Sequence, residues 1–147
     1  MYTMQLQPCT DARNAGIARE HAFASACGIE KRHHDRARYD RESDVVAGGI
    51  GYSVKAARFT LMSGSACDGR DTLAGIWDLY AARVHSERFV YVSDDWTAYI
   101  MTLAEFRTLV FQFCTLERES TQNGGGYKVR FPRETKKVRA WLTSQAR

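Results

Sequence analysis

The sequence predicts a mixed α/β (α+β) domain, in which helices flank a mixed central sheet that starts from a β-hairpin. Apolar residues at helical spacing alternate along the chain with short runs rich in Val, Ile, Tyr and Phe. A Gly48-Gly49 pair separates two of these runs, which is typical of a hairpin turn. With 147 residues, 44% hydrophobic and 26% charged, the chain has the size and composition of one globular domain over 1–147.

The first quarter of the chain contains one predicted helix, and the segments on either side of it each fit two interpretations. Residues 1–9 alternate loosely, and they fit either a short strand or an untethered start. Thr10-Asp11 is a candidate cap for a helix that runs to about Cys27, and Gly28 is its stop signal. Residues 30–42 are almost wholly polar, which is typical of a loop or an exposed helix.

The hairpin follows, and then a second helix. Residues 43–47 and the run Ile50–Met62 are predicted as its two arms, with the glycine pair between them. A loop of small residues over 63–69 leads into a helix from about Asp71 to Val84, whose apolar residues share one face.

The second half predicts a strand pair, two more helices and a short strand. Arg88–Ser93 and Thr97–Met101 are expected to pair across a turn at 94–96. Residues 102–105 read Thr-Leu-Ala-Glu, a capping box for a helix that ends at about Glu117. After the glycine run 123–126, we expect a strand and a basic final helix: Tyr127–Phe131 and Glu134–Ser144.

Positive charge is segregated in this chain. The net charge of +4 divides into +6 over 127–147 and −2 over 1–126. A second basic cluster occupies 31–38. Segregated positive charge favours a polyanionic partner. The basic residues of the final stretch, set against the single acid Glu134, are Lys128, Arg130, Arg133, Lys136, Lys137, Arg139 and Arg147.

The cysteines and the apolar runs predict a cytoplasmic protein with no membrane partner. The four cysteines form no CxxC pair and show no regular spacing, which argues against a zinc site or a disulfide framework. The N-terminus lacks a signal-peptide pattern. No apolar run approaches the roughly 20 residues that span a bilayer.

Four residues form a candidate catalytic group. Ser53 and Lys55 lie two apart on a predicted strand and so share a face, and the hairpin brings Asp44 close to them. Glu20 can approach the same point if the first helix packs on the sheet. Two carboxylates near a lysine suit phosphodiester hydrolysis, because carboxylates hold Mg²⁺ or Mn²⁺ and a lysine stabilises charge that develops on the phosphoryl group.

With these residues, the chain over roughly 16–92 resembles the PD-(D/E)XK nuclease superfamily, the fold of many restriction endonucleases. The order of elements matches the family better than the motif does. Ser43 stands where the family usually has the Pro of Pro-Asp, and Ser53 stands where it usually has Glu, Asp or Gln two residues before the lysine.

The resemblance implies a restriction-endonuclease-like fold and a set of site residues. Some restriction enzymes of the family carry Ser at the second motif position and supply the missing acid from the following helix, about a dozen residues beyond the lysine. Asp68 lies thirteen residues beyond Lys55, with Asp71 just after it. The expected metal ligands are therefore Glu20, Asp44 and Asp68. The expected catalytic residues are Glu20, Asp44, Ser53 and Lys55.

The resulting expectation is a Mg²⁺-dependent (or Mn²⁺-dependent) endonuclease that acts on DNA, with RNA as the alternative polymer and with a homodimer or a partner protein supplying specificity. Two other functions stay open: a nuclease-like nucleic-acid-binding or accessory module that no longer cuts, and a small protein-interaction regulator from a mobile element. The residues expected to hold the nucleic-acid backbone are Lys31, Arg32, Arg36, Arg38, Arg58, Lys128, Arg130, Lys136 and Lys137.

Overall fold

The computed structural model describes residues 1–10, 14–29, 43–120 and 125–146. The predicted mixed α/β class is confirmed, with four α-helices and two sheets in these ranges. The elements, in chain order, are β1 Tyr2–Gln5, α1 Ala15–Ala26, β2 Val45–Ala47, β3 Ile50–Ala56, β4 Thr60–Ser63, a 3-10 helix Gly64–Cys67, α2 Leu73–Arg83, β5 Arg88–Val92, β6 Thr97–Met101, α3 Leu103–Phe113, β7 Thr115–Arg118, β8 Tyr127–Arg130 and α4 Lys136–Gln145.

The larger sheet is mixed, and its strand order is β1-β6-β5-β3-β2. Only β3 and β5 pair in parallel, with Lys55 opposite Tyr91, and the other neighbours are antiparallel. A parallel pair needs a crossover connection, which β4, the 3-10 helix and α2 provide here. Strand β3 therefore lies between the hairpin arm β2 and the parallel partner β5.

The predicted hairpin is confirmed. Gly48 and Gly49 both have positive φ, 58° and 79°, as a two-residue type I′ turn requires. Val46 pairs with Gly51 across the turn. This register places Asp44, which immediately precedes β2, beside the middle of β3.

The long run over 50–62 is two strands instead of one. Strand β3 ends at Ala56, and β4 begins at Thr60 in a separate antiparallel sheet ordered β4-β8-β7. Arg58 adopts a left-handed conformation, φ 66°, and its N–H donates to Pro132 O at 3.0 Å. The chain turns here because it leaves the larger sheet, and the next strand, β4, pairs with β8 in the smaller sheet. Sequence periodicity cannot show this contact, because the two segments are distant in the chain.

Three boundaries also differ from the expectation. The third helix ends at Phe113, because Thr115–Arg118 pairs with β8 as strand β7. The first helix is capped by Asn14, whose Oδ1 accepts from the N–H of Ile17, and not by Thr10-Asp11. Of the two possibilities for residues 1–9, the strand is correct for Tyr2–Gln5, which pairs with β6. The first strand of the sheet therefore comes before the hairpin in the chain, and the sheet does not start from the hairpin as expected.

The core has two parts, one on each face of the larger sheet. Between the two sheets, Phe89 stacks on Phe106 with ring centroids 4.7 Å apart. Phe131, which follows strand β8 of the smaller sheet, contacts Tyr91. On the other face, Phe23 of α1 packs in a cluster of small and branched apolar residues. Both sheets therefore bury side chains in one shared apolar layer.

The cysteines and helices add two further facts. All four cysteines carry free thiols: Cys9, Cys27, Cys67 and Cys114. Among the helices in the described ranges, none combines the length and the apolar character needed to cross a membrane.

A buried carboxylate attaches the basic C-terminal segment to β5. Glu134, whose side chain is 1% exposed, accepts from the hydroxyl of Tyr91 at 2.8 Å and from the N–H of Asp94 at 3.2 Å. Arg139 of α4 lies 3.5 Å from the same carboxylate. Burial and the Glu134 charge raise the pKa of Tyr91, so its hydroxyl stays a donor.

We expect Tyr91→Phe to lower the free energy of unfolding by about 1.5–3 kcal/mol, because a hydrogen bond to a buried charged group is lost. Urea denaturation followed by circular dichroism measures the change. Tyr127→Phe is the matched control, since it removes a more exposed hydroxyl that accepts from Arg118, and its effect should stay within about 0.5 kcal/mol. Equal losses in both variants would contradict the stabilising role of the Tyr91–Glu134 bond.

Candidate active site

A cleft of about 760 Å³ opens where β3 leaves the larger sheet. Its walls come from the start of α1, from β3 and the turn after it, and from the end of α2 with the residues that follow. Four of the lining residues are those that the sequence predicted as catalytic: Glu20, Asp44, Ser53 and Lys55. The structure therefore brings this predicted group together at one cavity.

Asp44 is held by the backbone of the neighbouring strand. Its Oδ2 accepts a hydrogen bond from the N–H of Val54 at 2.8 Å, between the two residues that share the cleft face of β3. The half-buried carboxylate is thereby positioned at the edge of the cleft. The pairing of β2 with β3 through the glycine turn is what makes this contact possible.

Lys55 is half-buried and lies within electrostatic range of both acids. Its Nζ is 5.8 Å from the ring centroid of Phe59. Burial lowers the pKa of Lys55, while the charges of Asp44 and Glu20 oppose that shift. Glu20 itself is 5% exposed, on the helix whose next residues pack against the larger sheet. Two acids and one lysine thus share a site with little solvent.

A chain of three serine hydroxyls lies beside these groups. Ser53 Oγ is 2.6 Å from Ser86 Oγ, and Ser86 Oγ donates to Ser43 Oγ at 2.9 Å. Ser53 and Ser43 are the two positions at which the chain departs from the PD-(D/E)XK motif. Sequence reasoning missed Ser86, because its place depends on the parallel alignment of β5 with β3, which also lets Glu87 N–H donate to Gly51 O at 2.9 Å.

The end of α2 contributes residues that the sequence assigned to the core or did not single out. Tyr80 lines the cleft, and burial together with the negative charge of Asp44 raises its pKa, so it is a neutral phenol at physiological pH. Arg83, Val84 and His85 line the same wall. The sequence shows that Tyr80 and Arg83 lie on one side of the predicted helix, because they are three residues apart. It does not show that Tyr80 lies close to Asp44.

The predicted third acid lies elsewhere. Asp68 is exposed at the end of the 3-10 helix, with a left-handed φ of 52°, and it does not line the cleft. Asp71 is also exposed and outside the lining. Among the residues that the structure describes, the acids at the cleft are therefore Glu20 and Asp44.

Five of the predicted nucleic-acid-binding residues lie in the described part of the chain. Arg58 lines the cleft. The Nζ atom of Lys128 lies 3.9 Å from Oε2 of Glu117 and 4.0 Å from Oε2 of Glu119. These carboxylates compensate part of the lysine charge. Three other members of the predicted set are exposed: Arg130, Lys136 and Lys137. The basic cluster of Lys31, Arg32, Arg36 and Arg38 lies outside the described residues.

The donor chemistry of the cleft fits a hard divalent cation. Among the described residues, no group of three or more His, Cys, Asp or Glu side chains is arranged to hold a metal ion. Mg²⁺ does not require such a group, since it is commonly bound by one or two carboxylates together with waters and substrate phosphates. Glu20 and Asp44 supply two carboxylates at the cleft.

Comparison of the chain with models of known protein families, with curated proteins and with solved structures found no match.

We expect Gly51→Ala to disturb the position of Asp44. A Cβ at residue 51 would overlap Ser43 Oγ and lie 3.0 Å from Ser43 Cβ, so Ser43 would have to move. Overpacking of this kind costs about 1–3 kcal/mol of unfolding free energy, which thermal or urea denaturation measures. The double variant Ser43→Gly with Gly51→Ala removes the clash and should recover most of that loss. If the double variant is no more stable than Gly51→Ala alone, the clash is not the cause.

We also expect the half-buried Lys55 to make stability depend on pH. With its pKa lowered in the folded state, folded Lys55 loses its proton at a lower pH than unfolded Lys55 does. The unfavourable contribution of the charged form is therefore complete below the folded pKa, and it fades as the pH rises toward the unfolded value of about 10.4.

The measurement is the difference in unfolding free energy between wild type and Lys55→Met, taken at several pH values from about 8 to about 10 without divalent metal. Wild type should gain stability relative to Lys55→Met as the pH rises. The comparison cancels the titration of the tyrosines, which both proteins share. A difference that does not change with pH would contradict the lowered pKa.

Proposed function

We propose that the protein is a metal-dependent nuclease that hydrolyses phosphodiester bonds of DNA with Mg²⁺ or Mn²⁺. One observation supports this proposal above the others: Glu20, Asp44 and Lys55 line the same cleft, and both carboxylates lie within electrostatic range of the lysine. Separate segments of the chain contribute the three residues, so their convergence is a property of the fold and not of sequence proximity.

The residues divide into three roles in this proposal. Glu20 and Asp44 would hold the cation, and Val54 N–H fixes the carboxylate of Asp44 in place. The bound cation would polarise the phosphoryl oxygen and make a water more nucleophilic. Lys55 would stabilise the negative charge that develops when water adds to phosphorus and a P–O ester bond breaks. Low solvent exposure around Glu20 and Lys55 strengthens these electrostatic interactions.

The hydroxyl of Ser53 favours one competing function, the nuclease-like module that binds nucleic acid without cutting it. At the position where the resembling family usually has an acid, this chain has a hydroxyl that shares a short hydrogen bond with Ser86. A neutral hydroxyl is a weaker cation ligand than a carboxylate. In this second function, DNA binding persists without cleavage and without a divalent metal.

Plasmid cleavage with Mg²⁺ or Mn²⁺ tests both functions. We expect wild type to nick or linearise the plasmid, and EDTA to stop the reaction. Asp44→Asn and Lys55→Ala should each lower the cleavage rate by about a hundredfold or more, because each removes a group that stabilises the transition state. Asp78→Asn is the matched control, since Asp78 is an exposed acid of α2 that does not line the cleft.

Three outcomes of the plasmid assay distinguish the two functions. Cleavage that fails in Asp44→Asn and Lys55→Ala but persists in Asp78→Asn supports the nuclease. Cleavage that is unchanged in the two cleft variants contradicts it, since the activity would then come from another site or a contaminant. Salt-dependent DNA binding by wild type with no cleavage in either metal supports the non-cutting module instead.

A further inference from the structure

The cleft that holds Lys55 is also lined by residues outside the catalytic group. Arg58 follows Lys55 in the turn after β3, and Arg83 and His85 come from the end of α2 and the segment after it. Arg83 and His85 have no role in the catalytic group described above. Phe59 and Met62 lie between these segments in the lining.

Both arginines are attached to parts of the fold outside their own element. The backbone N–H of Arg58 donates to Pro132 O at 3.0 Å, and the N–H of Phe131 donates to Phe59 O at 2.8 Å, so the turn is fastened to the segment that precedes α4. The guanidinium of Arg83 donates to Ala66 O at 3.2 Å, which directs it across to the 3-10 helix. Each keeps donors for another ligand, because an arginine has five N–H groups.

The positive charge of the cleft comes from more than Lys55. Among the described lining residues, two acids, Glu20 and Asp44, are set against three basic side chains, Lys55, Arg58 and Arg83. In the proposed function Lys55 and a cation held by the two acids serve the reacting phosphodiester. That leaves the two arginines for a second phosphate.

The spacing along the chain lets Lys55 and Arg58 reach neighbouring phosphates. Lys55 and Arg58 are three residues apart, a span of at most about 11 Å. Each strand of a nucleic acid presents a phosphate about every 3.4 Å along the helix axis. Lys55 and Arg58 can therefore contact different phosphates of one strand.

We propose that Arg58 and Arg83 form a second phosphate-binding subsite, which takes a phosphodiester that flanks the scissile one on the same strand. The inference rests on the proposed function, because it identifies the substrate as a strand that continues past the reacting phosphate. Arginine suits this role, since its planar guanidinium donates two parallel hydrogen bonds to phosphate oxygens. His85 lines the same wall and adds a ring N–H donor.

The test measures binding, so that it does not depend on cleavage. Fluorescence anisotropy of a short labelled single-stranded oligodeoxynucleotide is recorded in EDTA at several salt concentrations, with wild type, Arg58→Gln, Arg83→Gln and the double variant. Arg107→Gln is the control, because Arg107 is an exposed arginine of α3 outside the cleft lining. Far-ultraviolet circular dichroism confirms that each variant is folded.

We expect each glutamine variant to bind several-fold more weakly at low salt, and its plot of log affinity against log salt to be less steep by about 0.7 to 1. Arg58→Lys and Arg83→Lys keep the charge, so they should retain the slope. Their affinity should lie between those of wild type and the glutamine variants, because the paired guanidinium hydrogen bonds are lost.

Wild-type affinity and slope in both glutamine variants would overturn the subsite. A loss of slope that the lysine variants share in full would also overturn it, because those variants keep the charge. If wild type cleaves in the plasmid assay but the arginine variants bind normally, the subsite fails while the nuclease stands. If wild type never cleaves but the arginine variants bind weakly, the nuclease and the assignment of a scissile phosphodiester fail, while phosphate binding by the two arginines stands.

Discussion

The parallel pairing of β3 with β5 is the constraint on which the site depends. It fixes which face of β3 carries Ser53 and Lys55 and sets Lys55 beside Tyr91. The same alignment carries Ser86, just before β5, to hydrogen-bond distance of Ser53. Because parallel strands need a crossover, the chain between them has to leave the sheet, and that excursion supplies β4 and α2 as walls of the cleft. This one strand pairing thus determines both the face of β3 that carries Ser53 and Lys55 and the cleft beside it.

Lys55 shows the electrostatic cost of this arrangement. A lysine that is removed from water loses solvation energy, and the lowered pKa of Lys55 shows that burial outweighs the attraction of Asp44 and Glu20. The same loss of water leaves the ammonium group available to a phosphate, which would bring the negative charge that the site lacks. Residues held in electrostatically costly surroundings are frequent at functional sites for this reason.

Sequence reasoning predicted the local parts of this structure and missed those that depend on distant pairing. The Gly48-Gly49 turn and the capping box at 102–105 were predictable, because turn and cap chemistry acts within a few residues. The convergence of Glu20, Asp44, Ser53 and Lys55 on one cleft was expected from strand periodicity and the hairpin. The split of the run 50–62, the strand at Thr115–Arg118 and the place of Ser86 were not, because each is decided by a partner in another segment of the chain. Asp68 was assigned by its distance along the chain, and the left-handed turn at that residue leaves it outside the cleft.

The short link between β3 and β4 has a consequence for insertions and deletions. Surface loops ordinarily accept changes of length, because closing a slightly longer loop costs little free energy. Residues 57–59 connect strands of two different sheets, and Leu61 just beyond them is 7% exposed. The pairing of β4 with β8 shifts register between Thr60 and Met62, so Leu61 is an extra residue whose buried position depends on where the link ends. The length of the link is therefore set by the distance between the two sheets. We expect this length to be among the least variable features of the chain, although the link lies at the surface.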